Sequence, residues 1–249
     1  MHVVRRIHRV VIETDDPSAI GAALSRALGL RVVEPFRMYG TFASMLLDAG
    51  TAFVEVARLG PPVERPTGRA RLFGIAFEPP SLDEAIRELD ARGIAHGAPA
   101  HHPHAGELRR WTNVLIDDMV PGALIFLCDY APASAPRLLD DGGGRDRARL
   151  DEIVIHVRDI ERAAARWQRL LAPTEQRLPG EWRAGNGPSL RVIAGESDTI
   201  ASLTFVAAST TGASAGRRER TPVTDAARDL IVPPAALGGL EIRVRTAHS

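Results

Sequence analysis

RIHRVVIETDDPSAIGAALSRALGL, residues 6–30, decides the fold. It reads as an apolar, β-branched run, an Asp-led turn and an amphipathic helix. The same succession returns as ARLFGIAFEPPSLDEAIRELDARGI (residues 70–94) and LDEIVIHVRDIERAAARWQRLLA (residues 150–172), and a fourth, worn copy opens at IASLTFVAAS (residues 200–209). Such a unit cannot bury its apolar face alone, so repeats must pack on one another. Each helical segment is followed by further strand-like runs. Units of strand, helix and strands that pair into a curved sheet leave a cavity between them, and that cavity is where a function would sit.

Within the first unit, residues 6–13 suit a buried strand. Asp16 and Pro17 supply an N-cap and a favoured first helical residue. Ile20, Ala23, Leu24, Ala27 and Leu28 fall on one helical face, and Gly29 ends the helix. Strands are expected at 31–34, 41–47 and 52–57. After a Pro/Gly-rich linker at 59–68, Ser81 and Glu84 form a capping box for the second helix, and strands at 111–116 and 123–130 complete that unit. Residues 131–149, APASAPRLLDDGGGRDRAR, read as a linker. Asp159 caps the third helix, and strands follow at 175–178 and 189–194. The segment 209–230 lacks an apolar stripe and reads as a loop where a fourth helix belongs. A closing strand spans 240–245. The fold class is therefore α+β: tandem βαβββ modules paired into curved mixed sheets. One half spans residues 1–130 (modules 1–60 and 69–130), and residues 131–149 link it to a second half at 150–249 (modules 150–195 and 199–249, the last degenerate).

Composition narrows the chemistry. Apolar residues at 45% and charged residues at 25% are values of a globular chain of 249 residues. The 31 basic residues balance 31 acidic ones, which leaves no electrostatic case for nucleic acid or an anionic membrane. Every basic residue is Arg; with no Lys, Schiff-base chemistry and a phosphate-loop lysine are excluded. No phosphate loop is present and no nucleotide cofactor is expected. Cys128 is the sole cysteine, so neither an internal disulfide nor a thiolate metal cage can form. No signal-peptide core or membrane-length apolar run occurs, and a cytoplasmic protein is expected.

The phrases IHRVVIETDDPSAIGAAL, FVEVARL, FGIAFEPPSLDEAIRELDARGI, VPGALIFLCDY, LDEIVIHVRDIERAAARW and VPPAALGGLEIRV, taken in order, resemble the vicinal oxygen chelate superfamily of glyoxalases, bleomycin-resistance proteins and extradiol dioxygenases. The likeness is greatest to glyoxalase-like domain proteins. It implies a glyoxalase-like fold and a small-molecule ligand. In metal-binding members, first and last strands of paired modules supply the ligands, and these positions fall on His8 and Glu55. An imidazole and a carboxylate are a reasonable partial site for zinc, nickel, manganese or iron. The companion module offers Gly74 and Phe126 instead, so two of four positions carry no ligand. Asp129 alternates to the face opposite Phe126. Tyr39, Phe36, Trp111 and Phe126 are candidates to line the cavity, as are His101, His102 and His104 of a loop at its mouth; core packing or a solvated loop explains the same residues. In the second half the corresponding positions hold Glu152, Arg191, Ser202 and Arg243, with His156 on the same face as Glu152. Guanidinium groups cannot ligate metal, so this constellation reads either as a structural Glu152–Arg243 ion pair or as an anion pocket of Arg191 and Arg243.

Two functions follow from the resemblance. In one, His8 and Glu55 hold a divalent metal that polarises a carbonyl or enolate oxygen, giving a lyase, isomerase or dioxygenase. In the other, the protein is a metal-free binder that sequesters a small molecule, as resistance members do. A third reading fills the cavities with side chains and leaves a structural or interaction protein. A homodimer is compatible with each.

Overall fold

The computed structural model describes residues 2–39, 42–103, 110–131, 148–174, 176–207 and 230–246. The chain is α+β, with two mixed sheets. The first contains β1 (Arg6–Thr14), β2 (Arg31–Tyr39), β3 (Phe42–Asp48), β4 (Phe53–Leu59), β5 (Ala70–Glu78), β6 (Ala100–Pro103), β7 (Arg110–Leu115) and β8 (Leu124–Tyr130). Their order is β2-β3-β4-β1-β5-β8-β7-β6. Strand β1 runs parallel to β4, β5 runs parallel to β8, and the two modules join where β1 meets β5 antiparallel. The second sheet repeats this plan with β9 (Arg149–Val157), β10 (Gln176–Leu178), β11 (Glu181–Arg183), β12 (Ser189–Ala194), β13 (Thr199–Ala207), β14 (Leu230–Val232) and β15 (Ile242–Thr246), ordered β10-β11-β12-β9-β13-β15-β14.

Among the described residues three α-helices cover the sheets: α1 (Pro17–Leu28), α2 (Leu82–Ala91) and α3 (Ile160–Leu171). Each begins where a short polar side chain accepts a free backbone N–H. Asp16 takes that of Ala19 at 3.0 Å, Ser81 that of Glu84 at 3.5 Å, and Asp159 that of Arg162 at 3.0 Å. Gly29 closes α1 in the left-handed conformation, φ 69°. Strand residues on the helix side, such as Ile12, Ile75, Phe77, Ile153 and Phe205, join one apolar core that runs through both sheets. Phe77 and Trp167 meet across the halves at 6.1 Å. Arg92, just past α2, donates from Nη1 to the carbonyls of Arg169, Leu170 and Ala172 at the end of α3.

The structure adds strands that the sequence pattern hides. Residues 100–103, expected as a loop, form β6 against β7, with His102 opposite Trp111. β11 and β14 are three-residue strands, too short to show a period. Most of the expected linker, residues 132–147, and residues 209–229 of the expected loop in place of a fourth helix lie outside the described residues, as does His104, while Leu230 opens β14. Among the described residues no helix is long and apolar enough to cross a membrane.

Candidate functional site

On the face away from the helices, the first sheet carries a second apolar cluster. Val11, Ala57, Ala76, Phe126 and Cys128 form it, with Trp111, Leu124 and Tyr130 packed against them. Above this floor lies a cavity of about 190 Å³, walled by Tyr39, Phe42, Trp111 and His102 and bordered by Arg9, Glu34, Glu55 and Asn113. The walls are flat rings at fixed angles. Tyr39 stacks on Phe42 (5.0 Å, 17°), His102 stacks on Trp111 (5.3 Å, 18°), and Tyr39 meets Trp111 edge-on (5.9 Å, 90°).

The polar end of the cavity departs from strict strand alternation. Ile7 pairs with Phe77 and Arg9 with the next residue back, Ala76, which leaves His8 as the extra residue of a bulge. Arg9 is thereby turned to the cavity. It is 5% exposed, and its guanidinium lies between the two candidate metal ligands. Nε donates to Glu55 Oε2 at 2.6 Å; Nη1 faces His8 Nδ1 at 3.1 Å, Tyr130 Oη at 3.1 Å and Cys128 Sγ at 3.4 Å. The Phe126 ring lies under the guanidinium, 5.3 Å from its centroid. Nη2 has no partner among the described residues.

Protonation follows from this packing. Burial works against charge on Arg9, but the neighbouring Tyr130, Glu55 and Cys128 groups outweigh it and hold its pKa above the ordinary arginine value. Burial first, then the charges of Arg9 and Arg6, push His8 well below the usual histidine value. A neutral His8 accepts at Nδ1 from Arg9 and keeps its own proton on Nε2. Burial raises the Tyr130 hydroxyl and the Cys128 thiol despite the Arg9 charge. His102 is lowered by burial and then by His101.

These residues do not fit a divalent ion. A cation already stands between His8 and Glu55, and both point their acceptors at it. No group of three His, Cys, Asp or Glu side chains among the described residues is placed to hold a metal. The third position is closed for a steric reason: a Cβ on Gly74 would lie 2.7 Å from the Leu124 carbonyl. A backbone oxygen cannot yield as a side chain can, so glycine is required there. Phe126 fills the fourth position, and Asp129 is absent from the cavity lining.

Other expected residues divide. Trp111, Phe126 and Tyr39 line the cavity; the half-exposed Phe36 does not. His101 is exposed and bonds Thr112 Oγ1 at 3.0 Å, while its neighbour His102 lines the cavity. Alternation along β6 decides between them. In the second half Glu152 is buried and lies near Arg191 Nε (3.4 Å), Arg245 Nη2 (3.5 Å) and Thr204 Oγ1 (3.4 Å). The expected Glu152–Arg243 pair does not form. Thr204 stands opposite both Glu152 and Arg243 and fills the space between them, and Arg243 turns to Glu241 at 2.6 Å. Arg245 shares the face of Arg243 and reaches Glu152 instead. His156 packs at Gly195, where a Cβ would come within 2.7 Å of His156 Cβ. Sequence reasoning missed Arg9, Asn113 and Arg245. Only Arg245 had a readable signal, its i+2 spacing from Arg243.

The model of the glyoxalase-like domain matches residues 10–171. The chain belongs to the glyoxalase-like domain family. No functionally curated protein matches it. Similar solved structures include a hypothetical protein from Staphylococcus aureus (10% identity, 97% of this chain and 99% of that one, TM-score 0.64). A variant of homoprotocatechuate 2,3-dioxygenase from B. fuscum shares 13% identity over 99% of this chain and 72% of its own, TM-score 0.60. A mutant of 4-hydroxymandelate synthase from Streptomyces coelicolor shares 15% identity over 82% and 71%, TM-score 0.56. Both enzymes share this fold with the chain. At these identities the likeness is one of fold.

Proposed function

We propose that the cavity of the first sheet is a small-molecule binding site organised around the Arg9 guanidinium, in the manner of a metal-free sequestering protein. The observation that carries this reading is the Arg9–Glu55 contact at 2.6 Å, set between His8 and Glu55 where a metal would need both. A fixed cation at the end of an aromatic-walled pocket orients a ligand oxygen without an ion to load or lose. The alternative, a metal-dependent lyase, isomerase or dioxygenase using His8 and Glu55, requires Arg9 to leave a site where it has four polar partners. The second half serves as support in this reading, with Glu152 in ion-pair reach of Arg191 and Arg245 and hydrogen-bonded by Thr204.

Trace-metal analysis of untagged protein separates the two. We expect well under one equivalent of any divalent metal, and ligand-induced thermal shifts that vanish on Arg9 substitution. About one tightly held equivalent, removed by His8→Ala, would overturn the proposal.

A further inference from the structure

The cavity has a composition more specific than an apolar pocket, and it points to one ligand chemistry. Its two stacked pairs, Tyr39 on Phe42 and His102 on Trp111, present flat faces. At about 190 Å³ it lies below the roughly 300 Å³ at which drug-sized sites begin, which suits one or two fused rings. Two polar groups at its border lack partners. One is Nη2 of the 5%-exposed Arg9, a donor. The other is Oδ1 of Asn113, a buried acceptor without a hydrogen bond. They are neighbours: Asn113 stands opposite Cys128 across β7 and β8, and Cys128 Sγ is 3.4 Å from Arg9 Nη1. The buried Asn113 acceptor stays costly until something meets it.

Charge then selects among ligands. Arg9 is already balanced by Glu55 at 2.6 Å, and Glu34 also borders the cavity. His102, its pKa lowered, adds no positive charge at neutral pH. A carboxylate ligand would place a second anion on one guanidinium beside Glu55, in a setting where unbalanced charge is expensive. An uncharged acceptor avoids this. Building on the Arg9-centred reading of this site, we infer that the cavity takes a flat, uncharged aromatic ligand bearing a carbonyl oxygen beside an N–H or O–H, as in a fused-ring lactam. The carbonyl accepts from Arg9 Nη2, the adjacent N–H donates to Asn113 Oδ1, and the rings lie against the Trp111 and Tyr39 walls.

Three probes of similar size test this by calorimetry: 2-quinolone, with the lactam edge; 2-naphthoate, with a carboxylate; and naphthalene, with rings alone. The wild-type chain should bind 2-quinolone about tenfold or more tighter than either of the others. Asn113→Leu, which breaks no ion pair, should cut that preference several-fold. The double variant Arg9→Met/Glu55→Gln, neutral at the site, should abolish it. Tightest binding of 2-naphthoate, lost in the double variant, would overturn the ligand class while the Arg9-centred site stands. Equal binding of quinolone and naphthalene, or a preference that survives loss of Arg9, would overturn both. Failure of all three probes to bind would overturn the ligand class.

Discussion

Replacing Arg9 by Met should destabilise this protein more than any other conservative-volume change at the site. The substitution keeps an apolar side chain of similar length but removes the guanidinium over Phe126, the donor to Glu55 at 2.6 Å and those facing His8 and Tyr130 at 3.1 Å. It strands a carboxylate whose side chain is 16% exposed and leaves His8, 2% exposed, without its neighbour. Breaking one partner of a buried ion pair costs about 3–5 kcal/mol. Glu55 borders the cavity and can regain some water, which sets the expected cost near the lower end, about 3 kcal/mol. For a chain of this size each kcal/mol moves Tm by roughly 2–4 °C, so a fall of roughly 6–12 °C is expected. Urea unfolding of wild type, Arg9→Met, Glu55→Gln and the double variant forms a cycle, and the double variant should be more stable than the sum of the singles by about 1–2 kcal/mol. A single-variant loss below about 1 kcal/mol, or an additive cycle, would refute the placement of Arg9 as the paired cation of the cavity.

Stability should also depend on His8. Its folded pKa lies below the unfolded value of about 6.5, so the unfolded chain takes up this proton first as pH falls. The contribution is complete above about pH 6.5 and is lost as pH drops towards the folded pKa; His8→Gln should flatten the decline in Tm between pH 7.5 and 5.5, and an unchanged slope would exclude His8 as its source. Gly74→Ala should cost about 1–3 kcal/mol in denaturant titration, because its Cβ would meet the Leu124 carbonyl at 2.7 Å; a neutral result would mean that β5 and β8 separate freely. Arg243→Leu should leave Tm within about 2 °C, since its pair with Glu241 is 39% and 45% exposed; a large drop would tie Arg243 to Glu152 after all. Arg92→Ala should cost about 2 kcal/mol and speed hydrogen exchange first in the last turn of α3, where its Nη1 holds three carbonyls.

The fold was legible because each module announces itself locally. Asp16, Ser81 and Asp159 sit where a helix needs an acceptor, and the bounds expected for α1 match those observed. Periodicity fails where elements are short or paired from afar. β6 has four residues and forms only because β7 offers an edge, so His102, stacked on Trp111, was not separable from His101. β11 is ordered by pairing with β10 and β12 on either side, which no local pattern records.

The centre of the site was hidden by a single residue of slippage. Counted from the core residue Ile7, strict alternation aims His8 at the concave face and Arg9 away from it, and the family resemblance puts a ligand position on His8. The bulge between Ile7 and Arg9 puts the guanidinium there instead. Nothing local in IHRVV marks a bulge, because the cause lies across the sheet. Ala76, opposite Arg9 on β5, has only a methyl group, Phe126 supplies a face for the cation, and Glu55, Tyr130 and Cys128 meet its nitrogens. The small residues facing β1 are the readable half of this arrangement. A glycine inside a strand signals close approach of another backbone, and here it removes a ligand position on β5 while Ala76 opens space for the arginine. Gly74, which denies β5 a ligand side chain, and the bulge that brings Arg9 over Phe126 thus both act against a three-ligand ion at this end of the cavity.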